Sequence, residues 1–157
     1  MAANKLSSSL LAGLGGTCVV TMLAELTARF EAVLLIAPFG ASCVLVFGLP
    51  QSPLAQPRNV IGGHLISTLM GLLVFAALGA TPLAFGVGVG LAITAMLLTG
   101  TVHPPAGADP IVVLLAGAGW SFLVVPVFTG ATTIVVAGLI FKGTVRRLSR
   151  LGRTEGA

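Results

Sequence analysis

Between Glu31 and Lys142 the chain carries four readily ionised side chains, Arg58, His64, His103 and Asp109, among residues that are otherwise apolar or weakly polar. An ionisable group in apolar surroundings is a pathway candidate by default, because a low dielectric penalises its charge unless the group is paired or used. Each also has a plainer reading. His64 shares a helical face with Ser67, Thr68 and Gly71, so that face points at protein or water, and a structural histidine bonded across helices would look the same. Arg58 and Asn59 at a helix start read equally as interface anchors, although a cation beside a mouth also concentrates anions. Cys18 and Cys43 lie inside apolar runs, where a thiol behaves as a small hydrophobe, so neither a disulfide nor a metal site is expected. No plausible Ser-His-Asp set, no paired carboxylates within the apolar region and no metal-ligand spacing of His and Cys can be read. The expectation is therefore no enzyme, no metal and no cofactor.

The elements that must position these groups follow from the apolar runs. Residues 6 to 24, 32 to 57, 59 to 108 and 110 to 141 each lack Lys, Arg, Asp and Glu. A crossing helix needs about 20 mostly apolar residues, so these runs hold more than four of them. With 56% hydrophobic and 8% charged residues the chain is outside the soluble globular range and reads as an all-α integral membrane protein. Three regions are expected: a cytoplasmic tail at 1–8, one transmembrane domain at 9–141, and a basic cytoplasmic tail at 142–157. Five of the eight Lys and Arg lie in that last tail as Lys142, Arg146, Arg147, Arg150 and Arg153, a cluster that reads as a positive-inside anchor and not as a nucleic-acid site. Nothing before the first apolar segment has the form of a removed signal peptide, so that segment is read as the first span.

Helices are expected at about 9–27, 59–79, 82–98 and 120–141, with Trp120 at an interface and a short interfacial loop marked by Glu25, Arg29 and Glu31. Two further segments are interrupted. Pro38 and Gly40 break the run 32–49, and Gly100, Pro104, Pro105 and Gly107 break the run that follows the fourth helix, before Pro110 opens an apolar stretch to Ala118. At an offset of 67 positions, Pro38-Phe39-Gly40-Ala41-Ser42-Cys43 lies over Pro105-Ala106-Gly107-Ala108-Asp109-Pro110. Each half then reads helix, broken helix, helix, with repeat one at about 9–79 and repeat two at about 80–141. If all three elements cross, the odd number makes the halves inverted, a transporter and channel design with its site where the broken helices meet. If the broken elements dip in and return, there are four spans and parallel halves. Six crossings place Lys5, Arg58 and the C-terminal cluster on one side, and six are preferred.

A helix that begins inside the membrane presents amides without intrahelical acceptors and the positive end of its dipole, which attracts small anions. Ser42 and Asp109 are expected as N-caps of two such half-helices, with Pro110 in a first-turn position. The alternative is that the caps only satisfy a structural kink.

His103-Pro104-Pro105-Ala106-Gly107-Ala108, Pro38-Phe39-Gly40-Ala41-Ser42 and the stretch from Ser52 to His64 (SPLAQPRNVIGGH) together resemble the HPP family of integral membrane proteins, over about residues 30 to 140. The resemblance implies a small helical membrane protein, in a family with members associated with nitrite transport in plastids and cyanobacteria and others in bacteria of unknown cargo. Asp109 departs from it, standing where the resemblance leads one to expect a neutral residue. A carboxylate there repels an anion unless it or His103 is protonated.

Three readings compete. In the first, the protein is a channel or secondary transporter for a small monovalent anion, nitrite by resemblance. Its binding residues would be Phe39, Gly40, Ala41, Ser42 and Cys43, then Arg58, Asn59 and His64, then His103, Pro104, Pro105, Gly107, Ala108 and Asp109. In the second, a neutral solute or cation passes, with Asp109 and exposed carbonyls as ligands. In the third, the protein is a scaffold subunit with its polar groups packed dry. Gly86 and Gly90 form a G-x-x-x-G spacing, and with Gly13, Gly16, Gly62 and Gly63 they offer close-packing faces within or between subunits. The remaining expectations are a homo-oligomer, a lipid bilayer and a small anion as partners, no nucleic acid, and a bacterial-type inner membrane with both termini cytoplasmic.

Overall fold

Proline starts and glycine stops divide the apolar runs. In the computed structural model, which describes residues 2–30 and 33–154 with side chains between 5 and 147, α1 is Ala2–Phe30 and α2 is Ala37–Cys43, the latter running into a π-helical turn at Val44–Gly48. A 3-10 turn at Pro53–Ala55 precedes α3, Pro57–Leu78, and then α4, Pro82–Thr99. A second 3-10 turn, Pro104–Ala108, leads into α5, Asp109–Ala116; a third, Trp120–Leu123, and a π-helical turn at Val124–Phe128 lead into α6, Thr129–Thr154. Proline at the first or second position suits helix starts, where its missing N–H is not needed, and α2, α3, α4 and α5 all use it. Gly100 and Gly117 end α4 and α5 in the left-handed conformation, which glycine adopts without a Cβ clash.

Four stretches are long and apolar enough to cross a membrane by themselves: Lys5–Phe30, Pro57–Leu78, Pro82–Thr99 and Trp120–Arg147. The interrupted segments Ala37–Gly48 and Pro104–Ala116 are shorter, and at 1.5 Å per residue either helix reaches only about two-thirds of the roughly 30 Å of hydrocarbon. Their neighbours show how far the chain nevertheless travels. Leu34 N donates to Thr27 Oγ1 near the end of α1, Cys43 lies against Gly16, the Phe47 ring against Gly15, and a cavity joins Gly48 and Pro50 to Ser8 and Ser9. Lys142 Nζ then donates to the Pro50 carbonyl at 3.4 Å. The first interrupted segment thus runs back along α1 from its end to its beginning, and the 49–56 loop shares one face, the near face, with the start of α1 and Lys142 of α6.

The second interrupted segment travels the other way. Arg58 and Asn59 at the start of α3 donate to the carbonyls of Thr99 and Val102, at 2.7 and 2.8 Å, on that same near face. From there Thr101 lies beside Gly62, His103 beside Gly63, Pro110 beside Gly71, and Gly117 beside Phe75. A Cβ at Gly63 would meet the His103 Cβ at 2.7 Å and one at Gly71 would meet the Pro110 Cα at 2.8 Å, so both glycines are what allows this segment to lie on α3. Gly88 does the same from α4 against Pro110 and Leu114, whereas Gly86 and Gly90 face open space. The expected G-x-x-x-G face of α4 is therefore not a packing seam within this chain.

Two other expectations change. α6 continues unbroken through Phe141 to Thr154, so the basic cluster from Lys142 onward begins as helix, with the side chains of Arg150 and Arg153 outside the described ones. Its start is later than expected, because Pro126 removes an amide and Val125 has non-helical dihedrals, leaving Trp120 to Phe128 in 3-10 and π turns. Glu25 and Arg29 lie in α1, 3.8 Å apart, and Glu31 is outside the described residues.

The depth of the first interrupted segment yields a direct expectation. In a background without Cys18 and Cys43, single cysteines at Val33 and Gln51 should react with a membrane-impermeant maleimide from opposite sides of the membrane. Labelling of both from one side would make the segment a re-entrant loop.

Candidate functional site

The main apolar core joins Val19 and Leu23 of α1, Phe39 and Cys43 of α2, Val60 of α3, Val127 of the turn before α6, and Ala131 and Ile134 of α6. Beside it, where the two interrupted segments meet on α3, lies a cluster of opposite character. Ser42, His64, Ser67, Thr68, His103 and Asp109 are all fully buried. Polar groups this deep persist only when hydrogen-bonded, and the cluster is almost closed on itself.

α3 supplies its axis. His64, Ser67, Thr68 and Gly71 recur at helical spacing on one face, and all four are buried as expected. His64 Nε2 lies 2.9 Å from Ser42 Oγ, and His64 Nδ1 lies 2.8 Å from Asp109 Oδ2. Thr68 Oγ1 also donates to Asp109 Oδ2, at 3.2 Å, and Ser67 Oγ donates to the Ala106 carbonyl. Ser42 Oγ is 2.8 Å from His103 Nε2 on its other side and 3.2 Å from the Pro38 carbonyl of its own helix. His103 Nδ1 lies 2.8 Å from the carbonyl of Leu54 in the near-face loop. Phe39 closes one wall with its ring edge-on to His64, centroids 5.1 Å apart, and the two imidazoles are also 5.1 Å apart. Asp109 Oδ1 is buried and has no hydrogen-bond partner among the described residues.

Hydrogen counting restricts the protonation of this chain. The Leu54 carbonyl only accepts, so His103 Nδ1 carries a hydrogen. Ser42 has a single hydroxyl hydrogen for three contacts, the two imidazole nitrogens and the Pro38 carbonyl, which only accepts; for both imidazole contacts to be hydrogen bonds at least one Nε2 must donate, and both must while the hydroxyl donates to Pro38. With a neutral His103, the hydroxyl donates to His103 and His64 Nε2 donates to the hydroxyl oxygen. The His64–Asp109 contact then holds one more hydrogen, as imidazolium with carboxylate or as imidazole with carboxylic acid, and either way the pair is neutral overall.

Of the residues picked out from sequence, the structure brings together Ser42, His64, His103 and Asp109, with Phe39 against them. It does not bring in the others. Gly40 and Ala41 are exposed on the outer side of α2, and Cys43 packs against Gly16. Arg58 and Asn59 clamp the end of α4 and the residues after it. Pro104, Pro105, Gly107 and Ala108 form the 3-10 turn that carries His103 and Asp109 into position, without joining the cluster themselves.

The capping roles are corrected. Ile36 is the N-cap of α2 and Ala108 that of α5, and neither caps with its side chain. Ser42 lies near the C-terminal end of α2, and Asp109 is the first residue of α5. The amides of Phe39 and Ala106 already donate to the carbonyls of Ile36 and His103, both at 3.0 Å, so the hydroxyl and the carboxylate turn to the imidazole. The absence of a Ser-His-Asp set is corrected too. Ser42, His64 and Asp109 are connected in that order, through residues 22 and 45 positions apart. The connectivity is that of a nucleophile triad, but the hydroxyl is fully buried, shared with His103 and enclosed by Phe39, which leaves no place for an acyl group. The carbonyls of Leu54 and Pro38 were missed, because a backbone acceptor leaves no mark in the sequence. Ser67 and Thr68 were legible as face neighbours of His64 and were not taken as site residues.

A family profile described as HPP, transmembrane region, matches residues 1–149. Two relatives are transmembrane proteins of the amoeba Dictyostelium discoideum. One is 36% identical over 78% of this chain and 42% of its own, and the other is 37% identical over 73% of this chain and 43% of its own. The chain therefore spans less than half the length of the curated relatives it matches. No solved structure matches. With a profile covering nearly all of it, and the polar cluster built from the segments that carried the resemblance, this chain belongs to the HPP transmembrane family.

Proposed function

We propose that the protein is a secondary transporter for a small monovalent anion that crosses together with a proton, with Ser42, His64, His103 and Asp109 as the occluded core of its pathway. The observation that carries this is a complete His-Ser-His chain ending on a carboxylate, buried where two interrupted segments meet. A structural kink needs its backbone satisfied, not three ionisable side chains in series.

The anion and the proton belong together for an electrostatic reason. A carboxylate within about 4 Å of an anion is strongly repulsive at interior dielectric values, and a proton on Asp109, or on both imidazoles, removes or offsets that repulsion. Imidazolium groups at His64 and His103 would supply donors to the anion. Ser42 and Asp109, which are 67 positions apart and so correspond in the two proposed halves, contact the two nitrogens of His64, which supports placing the pathway where those halves meet. The near face carries Lys5, Arg58 and Lys142, a positive bias that supports reading it as the cytoplasmic face, and the membrane proposed is a bacterial-type inner membrane. The exposed apolar residues Leu6, Leu10 and Leu14 of α1 and Leu91 and Leu98 of α4 meet lipid or further copies of the chain. Nitrite is the first cargo to test, on the strength of the resemblance alone.

One observation favours a second reading. The unpartnered Asp109 Oδ1 suits a cation or a neutral hydrogen-bond donor. Uptake into proteoliposomes of nitrite, nitrate, formate, chloride, sodium and glycerol separates the two. Saturable nitrite or formate uptake driven by an inward proton gradient is expected. Sodium or glycerol flux without anion flux would select the second reading, and no flux of any of the six would sink both.

A further inference from the structure

The cluster contains an arrangement that binding a cargo does not require: a hydroxyl placed between two imidazole nitrogens, 2.9 Å from one and 2.8 Å from the other. We propose that His64, Ser42 and His103 form a proton relay between Asp109 in the interior and the near-face loop at Leu54. Its role in coupling rests on the transport reading above; its chemistry does not.

The step balances without any further reactant. In one state His64 Nε2–H donates to Ser42 Oγ, and the Ser42 hydroxyl, turned from the Pro38 carbonyl at 3.2 Å to the nearer acceptor at 2.8 Å, donates to a bare His103 Nε2. The His64 Nε2–H bond breaks as its hydrogen joins Ser42 Oγ, while the former Ser42 hydrogen leaves and bonds to His103 Nε2. In the second state His64 has a bare Nε2 and keeps Nδ1–H toward an ionised Asp109, and His103 is the imidazolium, with both nitrogens donating. Ser42 begins and ends with one hydrogen, and one positive charge has moved from His64 to His103.

The ends of the relay differ, which gives it a direction. Among the described residues the hydrogen-bond partner of His103 Nδ1 is the carbonyl of Leu54, in the short 3-10 turn Pro53–Ala55. That turn belongs to the same loop whose Pro50 carbonyl meets Lys142 on the near face. Displacing one loop carbonyl therefore opens His103 toward that face. At the other end Asp109 receives Thr68 and His64 on Oδ2 alone, and its free Oδ1 is the acceptor left for a proton arriving with cargo. The groups facing the relay from each packed element are Ser42 and Phe39 of α2, His64, Ser67 and Thr68 of α3, His103 and Asp109 of the second interrupted segment, and Met96 of α4. Of these, His64, His103 and Asp109 carry the ionisable side chains. Cys43 faces α1, and Arg58 is held on Thr99 at the near face.

The test reads the histidines themselves. In 15N-histidine-labelled protein in lipid bilayers, a hydrogen is expected to exchange between the Nε2 sites of His64 and His103, read as exchange cross-peaks between their protonated and bare 15N resonances. Ser42→Ala should abolish that exchange, because the two rings, 5.1 Å apart, stay electrostatically coupled but lose the hydroxyl that passes the hydrogen. Ser42→Thr, which keeps a hydroxyl and serves as the folded control, should restore the exchange. In liposomes loaded with a pH dye, Ser42→Ala should also cut nitrite-driven lumenal acidification about a hundredfold, the scale of a lost proton-transfer group, and Ser42→Thr should recover it. No exchange in the unaltered protein, or exchange surviving in Ser42→Ala, overturns the relay. Nitrite uptake with no lumenal pH change overturns it while leaving transport intact. Exchange with no flux of any cargo leaves the relay standing and removes the transport reading.

Discussion

Asp109→Ala is expected to be the most damaging single substitution in the protein, lowering stability by about 3–5 kcal/mol, the range for removing one partner of a buried ion pair. His64 Nδ1 would lose the one hydrogen-bond partner it has among the described residues, at full burial, and the Thr68 hydroxyl would lose its acceptor. Water has no access to replace them. Thermal unfolding in detergent micelles should show a large downward shift, and expression should fall with it. Asp109→Asn separates folding from function. Its amide oxygen accepts from His64 and Thr68 as the carboxylate does, so the fold should survive, but the side chain can take up neither charge nor proton. Proton-driven uptake should then drop about a hundredfold or more, on the scale of a lost acid–base group. An Asn variant transporting normally would show that Asp109 is structural, and an Ala variant unfolding normally would show that the buried pair is worth little.

His103→Ala ranks second. The ring is fully buried between Leu54 and Ser42, so the variant opens a cavity and leaves the Leu54 carbonyl without its donor. Together these should lower stability by about 2–4 kcal/mol. Flux should fall about a hundredfold while the protein stays folded. A cavity of imidazole shape, with one acceptor and one hydroxyl on its wall, also permits rescue. Added imidazole should restore part of the flux to His103→Ala and none to Asp109→Asn. Flux unchanged in His103→Ala removes this residue from the pathway, and loss of flux that imidazole cannot restore assigns it to packing.

Hydrophobicity and most of the helix starts were written in the chain, although 120–128, expected as helix, forms turns before α6. The four long spans follow from runs of apolar residues between Pro and Gly, and a bilayer turns that pattern into helix because no other open structure satisfies the backbone in hydrocarbon. The interruptions at Pro38 and Pro104 were equally visible, as was the face of α3 bearing His64, Ser67 and Thr68. The reach of the interrupted segments was not. It depends on Gly15, Gly16, Gly63 and Gly71 allowing close approach at particular depths, and which glycine meets which neighbour is a property of packing. For the same reason Gly86 and Gly90 offered a motif that the fold leaves open.

The residue types of the candidate site were determined by the sequence alone, since between Glu31 and Lys142 His64, His103 and Asp109 are the ionisable groups apart from Arg58 and the Cys43 thiol. Their relation was decided only by tertiary structure. Read locally, Ser42 and Asp109 sit where caps belong, because helix starts have orphan amides. In the folded chain the Phe39 and Ala106 amides are bonded to the carbonyls of Ile36 and His103, and two segments 67 positions apart instead deliver a hydroxyl and a carboxylate to opposite nitrogens of one imidazole. Short-range rules describe what the backbone needs. Which side chains meet depends on contacts spanning 22 to 61 positions, and no local pattern encodes them.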